Sequence, residues 1–582
     1  MEEMTKKADG MMQENMINRA DEARIQDYPD VEPSSHHTVL IAGGGVGGLT
    51  LANDLALRGV PFRVIDPLPE PVRDSRAHGF GARTLLALDK LGLVESMLAA
   101  AKQPPPVLRE YFGRTLVGEL DLGAVPRDPY PAMLAIFQQR VVRVLEAALI
   151  ERGHRVEWST RLMSFEMDEK GVVATVDRGG SVETIKARWI VGADGSMSVV
   201  RKTLGLDDPN AVKASGEASR SLLRGLLCEC DADWKLSRDV WWLWQERDGF
   251  AGAEYNDFTN KWHLQVIDLE GTQATLERME VLLRKRSGIH TVHLSNPAWV
   301  HQATFSQHAA TRFLAGRGAL LGDAAHTFSS VAGQGLHFAI EDALNLGWKL
   351  ALTIAGAASP SLLQTYETER RERFDNAIEK TRWTKRFLTL HGMAAKVFWA
   401  LLYFMGRRFR SISSIALKQA EKLDMNYPRS PLSRQDSTQM TPHTRAGMHA
   451  PDAPCRIGGR PSRLLEILRG PKADLLLFAG LSPTPEAIRA LQVLEESVAS
   501  LQEHVRVRYV FPSQAYASDA GMSVDDPQVI VDGLEKLHAV FGIERPEIVY
   551  VRPDGYIGLR TENLDARSLS YYFKLIYAVA GR

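Results

Sequence analysis

The alternation of apolar and polar positions divides the chain into stretches of different character. Residues 1–36 scatter charges without an apolar run, which predicts a disordered extension and excludes a signal peptide. At His37 the pattern changes abruptly. An apolar strand Thr38–Ala42, a glycine-rich turn, a helix to about Arg58 and a strand Phe62–Asp66 spell a β-α-β unit. A second α/β stretch runs to about Leu204. Leu222–Asp268 is rich in aromatic and β-branched residues with turn signals, and predicts an interleaved sheet spanning about 205–310. Helical periodicity follows from Gly333 to about Leu423, with a helical segment at about 358–423. Asp424–Pro454 concentrates Pro, Ser, Thr, Arg and Gly, so 424–454 reads as a linker. Beyond it, strands at Asp474–Phe478, Val505–Phe511 and Glu547–Arg552, with helices at Pro485–Ser500 and Ser568–Val579, predict a compact α/β module over 455–582.

Composition narrows the chemistry. The 582 residues suffice for two or three cores, and 70 basic against 71 acidic residues leave a net charge of −1. Such a chain has no field to gather nucleic acid, so a small-molecule substrate is expected. Its 3 cysteines cannot build a disulfide framework, which points to a reducing cytoplasm. Cys228 and Cys230 would share one face of a strand as buried thiols, and no metal site is expected. The apolar run Gly392–Met405 is shorter than the roughly 20 residues that span a bilayer, so no transmembrane span is expected.

Three motifs carry chemistry. In Gly43-Gly44-Gly45-Val46-Gly47-Gly48, Gly43 permits a tight turn, Gly45 lets a pyrophosphate approach the backbone, and Gly48 lets helix and strand pack; the helix N-terminus then favours the phosphate charge. Asp66 closes the second strand, where a carboxylate can accept hydrogen bonds from an adenosine ribose. The second motif, Val191-Gly192-Ala193-Asp194-Gly195, ends a strand in a carboxylate and a flexible glycine. The third runs Leu321-Gly322-Asp323-Ala324-Ala325-His326, then Gly333-Gln334-Gly335 opening the helix that carries Glu341-Asp342. Asp323 can hold a polyol, and glycines at a helix start offer N–H groups to an electron-rich ring.

Together these segments resemble the fingerprint of the para-hydroxybenzoate hydroxylase class of flavoprotein monooxygenases, over about Thr38 to Arg429. The resemblance implies a Rossmann-like FAD-binding domain within 37–423, with an interleaved substrate sheet. It implies FAD in extended form: AMP near Gly43–Gly48, Val46 and Gly47 included, and Asp66; ribityl chain near Asp323; ring near Gly333 and Gly335. In that class the Asp194-Gly195 segment serves both FAD and NADPH or NADH. Ser75-Arg76-Ala77-His78-Gly79 and Phe137-Gln138-Gln139-Arg140 resemble two further stretches of the family, which imply FAD contacts by Arg76 and Gln138. The C-terminal module, with Tyr550-Val551-Arg552-Pro553-Asp554-Gly555, resembles the thioredoxin-like domain of the phenol and polyketide hydroxylase branch. It lacks a C-x-x-C pair, so packing, including at a homodimer contact, is its expected role. The chain departs from the family at Ser330 and Ala332, and His337 stands where an asparagine is usual.

The activity so implied is hydroxylation of a phenolic or polyketide-like aromatic by NAD(P)H and O2, through a flavin C4a-hydroperoxide. Epoxidation, Baeyer–Villiger insertion and a flavin-binding interaction protein without turnover stay open. A phenol attacks best as its phenolate, and a base titrating near neutrality suits its deprotonation. His78 is the candidate, at the position where the phenol hydroxylase branch carries an acidic residue. His326 reads as support for the Asp323 loop. Among the aromatic residues of the middle sheet, strand alternation sends Trp242 and Trp244 to one face and Trp241 to the other.

Overall fold

The first sheet has eight strands, and parallel pairing forms its centre. His37–Ala42 pairs with Phe62–Ile65 on one side and the end of Ser181–Gly192 on the other, and Gly318–Leu320 pairs with the latter. Val39, Leu40 and Ile41 have no exposed surface, as a parallel sheet covered on both faces requires. The helices Val46–Leu57 and Gly335–Ile354 cross this sheet in contact, so tightly that a β-carbon on Gly347 would lie 2.1 Å from Asp54 Oδ2. The computed structural model describes residues 37–75, 77–102, 105–124, 129–131, 133–207, 223–246, 249–267, 274–305, 308–327, 335–388, 426–439, 441–442 and 444–578. Residues 1–36, Arg76, Gly333, Ser329–Ala332 and the apolar run Gly392–Met405 lie outside these. No described helix is long and apolar enough to cross a membrane.

The second sheet has seven strands, ordered Leu294–Phe305, Leu223–Ala232, Lys261–Ile267, Gly249–Asn256, Val240–Glu246, Val107–Phe112 and Thr115–Asp121. Its last two strands come from a region that periodicity assigned to the first domain. Val107–Phe112 reaches it by parallel pairing with Val240–Glu246, a long-range contact that no local pattern announces. One face packs Cys228, Cys230, Trp242, Trp244, Tyr255 and Trp262 against the helix Leu276–Ser287. The opposite face carries a polar row across four strands: Trp299 pairs with Glu229, Glu229 with His263, and His263 with Glu254.

In the C-terminal module, Ala473–Phe478 and Val505–Phe511 run parallel around the helix Pro485–Ser497. Val529–Val531 adds in parallel beside Val505–Phe511, Glu547–Val551 and Ile557–Thr561 add antiparallel on the other side, and the helix Ala566–Phe573 follows. The stretch read as a linker carries more structure than its composition predicts. Arg434–Asp436 pairs in parallel with Ile557–Thr561, and Tyr427 and Leu432 are buried.

Candidate functional site

The three motifs meet because each closes a neighbouring parallel strand. Gly43 N–H donates to Ile65 O at 2.8 Å, Ala193 N–H to Ala42 O at 2.8 Å, and Leu321 N–H to Gly192 O at 3.0 Å. Ligands of open α/β sheets bind at this carboxyl edge. Gly43 has φ +114°, and a β-carbon there would lie 2.2 Å from Ala193 O; one on Gly48 would lie 1.9 Å from Gly43 O. A β-carbon on Gly47 would lie 2.5 Å from the Leu321 side chain of the third motif. Gly45, in contrast, faces no protein atom within 4 Å. Val46 opens the helix, whose first turn holds no acidic side chain. This is a backbone cradle with one open side at a helix N-terminus, which fits a pyrophosphate.

Asp66 ties the cradle to the second strand. Its Oδ2 accepts from Gly44 N–H at 2.8 Å and its Oδ1 from Leu68 N–H at 2.9 Å. Burial raises its pKa, only partly offset by these two donors. Asp194 Oδ2 accepts from Val199 and Val200 N–H at 2.7 and 3.2 Å, whereas its Oδ1 is buried with no partner among the described residues. An acceptor left over beside the cradle fits a donor supplied by a bound cofactor.

Asp323 is exposed on a short 3-10 turn, and a β-carbon on Gly335 would lie 3.7 Å from its Oδ1. That turn is held from beneath by Asp342, which accepts from Gly322 N–H at 2.8 Å and from His326 Nε2 at 2.7 Å, and pairs with Arg370. Arg370 also reaches Glu341 at 3.1 Å and the Tyr427 hydroxyl at 2.9 Å. Burial works against the Asp342 charge, but His326 and Arg370 outweigh it and hold its carboxyl at about 2. His326 therefore belongs to the support of the loop.

Ser75 and the segment from Ala77 to Gly81 lie against the start of the helix Gln138–Glu151. Gln138 N–H donates to Ala77 O and to Ser75 Oγ, both at 3.0 Å. Beyond it, Thr84 Oγ1 lies 2.7 Å from His337 Nδ1 at the start of the long helix, and burial lowers His337 to about 4, leaving it neutral. His78 lies between these elements and the second sheet. Its Nδ1 contacts Glu254 Oε1, its ring stands edge-on to His263 at 4.3 Å, and Phe137 flanks it at 5.6 Å. His263 is buried, which with the neighbouring His78 lowers its pKa. Asn256 Nδ2 donates to Glu229 at 2.8 Å and to Gln139 Oε1 at 3.3 Å, joining the sheet to the helix that begins at Gln138.

Thus Gly43, Gly45, Val46, Gly47, Gly48, Asp66 and Asp194 form one cluster, Asp323 and Gly335 an adjoining one, and Gln138 and His78 a third at the sheet junction. Sequence reasoning missed Glu254, His263 and Glu229. A carboxylate inside an apolar strand, as in Leu226–Cys230 and Gly252–Tyr255, was the available signal.

The family described as FAD binding domain matches residues 36–381. A flavin-dependent monooxygenase of Mycobacteroides abscessus is 30% identical, over 90% of this chain and 97% of its own. The 6-methylpretetramide 4-monooxygenase of Streptomyces rimosus is 30% identical, over 91% and 92%. The solved structure of the OxyS anhydrotetracycline hydroxylase from the same organism superposes with a TM-score of 0.69 at 24% identity, covering 94% of this chain and 100% of that one.

Proposed function

This chain belongs to the FAD-binding family of flavin-dependent monooxygenases, and from that membership we propose that it hydroxylates an electron-rich aromatic ring of a phenolic or polyketide-like substrate held between the two sheets, with His78 as the base. Bound FAD, reduced by NADPH or NADH, would activate O2 so that one of its oxygen atoms goes to the ring and the other to water. The glycine cradle and Asp66 would hold its AMP half and Asp323 its ribityl chain, while Asp194 would accept a hydrogen bond from FAD or from the nicotinamide dinucleotide. Arg76, Gln138, Gly333 and Gly335 would serve the remaining length of FAD.

The observation that carries the reading is the place of His78. It stands on a loop that adjoins both the start of the helix Gly335–Ile354, through Phe80 and Thr84 against His337, and the polar row of the second sheet. A group at that junction meets a substrate lying against both. Its Nε2 is buried and has no partner among the described residues, so it is left to take a proton from a substrate hydroxyl. A polyketide-like substrate is supported by the relative that acts on 6-methylpretetramide, which aligns along nearly its whole length.

The test has two parts. Denaturation of the purified protein should release intact FAD, and FMN in its place would refute the cradle assignment. NADPH and NADH consumption with 6-methylpretetramide and simple phenols should give products heavier by one oxygen atom from 18O2, and consumption that yields only hydrogen peroxide would refute hydroxylation of that panel. His78→Gln should slow oxygen transfer by about 10²–10⁴-fold near neutral pH, with FAD content unchanged.

A further inference from the structure

We propose that Glu254 is the positioning residue of this site: its carboxylate holds the His78 proton on Nδ1 and so presents Nε2, as a lone pair, to the substrate hydroxyl. The inference rests on the reading of His78 as the base. A carboxylate only accepts hydrogen bonds, so its contact with Nδ1 fixes the tautomer of the neutral ring. Nε2 then carries the lone pair, and it is the ring atom left buried without a partner among the described residues.

Glu254 is itself held rigidly. It is 5% exposed in the interior of a strand, directly opposite His263. Its second oxygen, Oε2, is buried and has no partner among the described residues. Burying a carboxylate with one oxygen unsatisfied is unfavourable, and the imbalance is relieved when the ring beside it becomes a cation. The arrangement therefore favours the state that follows proton uptake more than the state before it, which is what a base needs.

His78, Glu254 and His263 also have the residue types of a metal centre. The direct hydrogen bond between Nδ1 and Oε1 leaves no room for an ion between them, since each bond to zinc takes about 2.0–2.1 Å. The titratable groups facing the pair are His263 on the next strand, Glu229 beyond it, and Lys102, whose Nζ bonds to Tyr255 O at 3.0 Å and feels Glu254. None lies between Nδ1 and the carboxylate. In the step, the hydroxyl proton of the phenol passes to Nε2 and the O–H electron pair stays on the phenolate oxygen. Nδ1–H stays bonded to Glu254 throughout, and the imidazolium later returns the extra proton to solvent.

Histidine-selective 15N labelling of the full-length holoenzyme reads this directly, with the His78 signal assigned by its loss in His78→Gln. The wild-type ring should be protonated on Nδ1 when neutral. Glu254→Gln, which is isosteric and still offers an acceptor, should keep that tautomer but lower the titration midpoint of His78 by about 1 pH unit. Glu254→Leu should lose the single tautomer. A neutral wild-type ring protonated on Nε2 would overturn the proposal without any variant. An unchanged midpoint in Glu254→Gln, alongside slow oxygenation by His78→Gln, would sink the assignment of Glu254 alone. Wild-type oxygenation by His78→Gln would sink the base, and with it the purpose given to Glu254.

Discussion

Asp342, inside the long helix, accepts the backbone N–H of Gly322 at 2.8 Å and thereby holds the turn on which Asp323 is displayed. The two carboxylates should answer mutation differently. Asp342→Ala leaves buried Arg370 with Glu341 as its one remaining carboxylate among the described residues and frees the Gly322 N–H, and should cost about 3–5 kcal/mol of stability along with FAD. Asp323→Ala, at an exposed side chain, should weaken FAD binding by roughly 1.5–3 kcal/mol and leave the unfolding transition nearly unmoved. Flavin titration and denaturant melts on both variants check the contrast, and an unchanged FAD dissociation constant in Asp323→Ala would remove the ribityl assignment.

The glycine turn makes a second separable pair. A β-carbon on Gly48 would lie 1.9 Å from Gly43 O, so Gly48→Ala should destabilise the fold even without flavin. Gly45 meets no protein atom, and its φ of −78° suits any residue. Gly45→Val should fold with a near-normal apo melting temperature and yet retain no FAD. Normal flavin content in purified Gly45→Val would mean that the pyrophosphate lies elsewhere.

These contrasts mark what was legible in the chain. The turns at Gly43, Asp194 and Asp323 each end an apolar strand within a short window, and local rules find them without knowing how the strands are ordered. The pairing of Glu254 with His263 and of His263 with Glu229 depends on antiparallel register across three strands, and the approach of His78 depends on how a loop of the first domain meets that sheet. His78 could be singled out by chemistry, but its partner could not. Likewise Val107–Phe112 gives no sign in its own sequence that it will pair with Val240–Glu246.

Acid should weaken the protein through two buried imidazoles. Burial holds His337 and His449 neutral, with pKa values of about 4 against about 6.5 in the unfolded chain. Between those values the unfolded chain binds more protons, so stability is complete above pH 6.5 and declines as pH falls toward 4, by up to roughly 3 kcal/mol per histidine. His449→Asn keeps a donor for Ala450 O and should flatten the decline between pH 7 and pH 5, although it lowers stability at pH 7. Thermal melts across that range measure the slope, and equal slopes in wild type and variant would exclude His449 as a contributor.

Glu369 accepts from Arg552 at 2.6 and 3.0 Å, from Lys349 at 2.7 Å and from Asn345 at 2.6 Å, all fully buried. Burial opposes its charge, but Arg552 and Lys349 hold its carboxyl well below the usual range. Glu369→Gln should cost about 3–5 kcal/mol, because two cations lose their shared anion. Urea unfolding followed by fluorescence and by far-UV dichroism would show it, and a loss under 1 kcal/mol would mean that Asp554 alone suffices for Arg552.

Arg552 lies on the C-terminal module and Glu369 on a helix of the flavin-binding half, while Tyr427 and Ser430, from the stretch between, bond to Arg370 and to Glu369. Each half is the other's solvent: the charges that one buries are neutralised by groups the other supplies. A chimera that joins this flavin-binding half to a relative's C-terminal module must carry across Arg552, Asp554, Tyr427 and Ser430 as a set, and a deletion ending before Tyr427 would leave Lys349 and Glu369 facing water they were never built to meet.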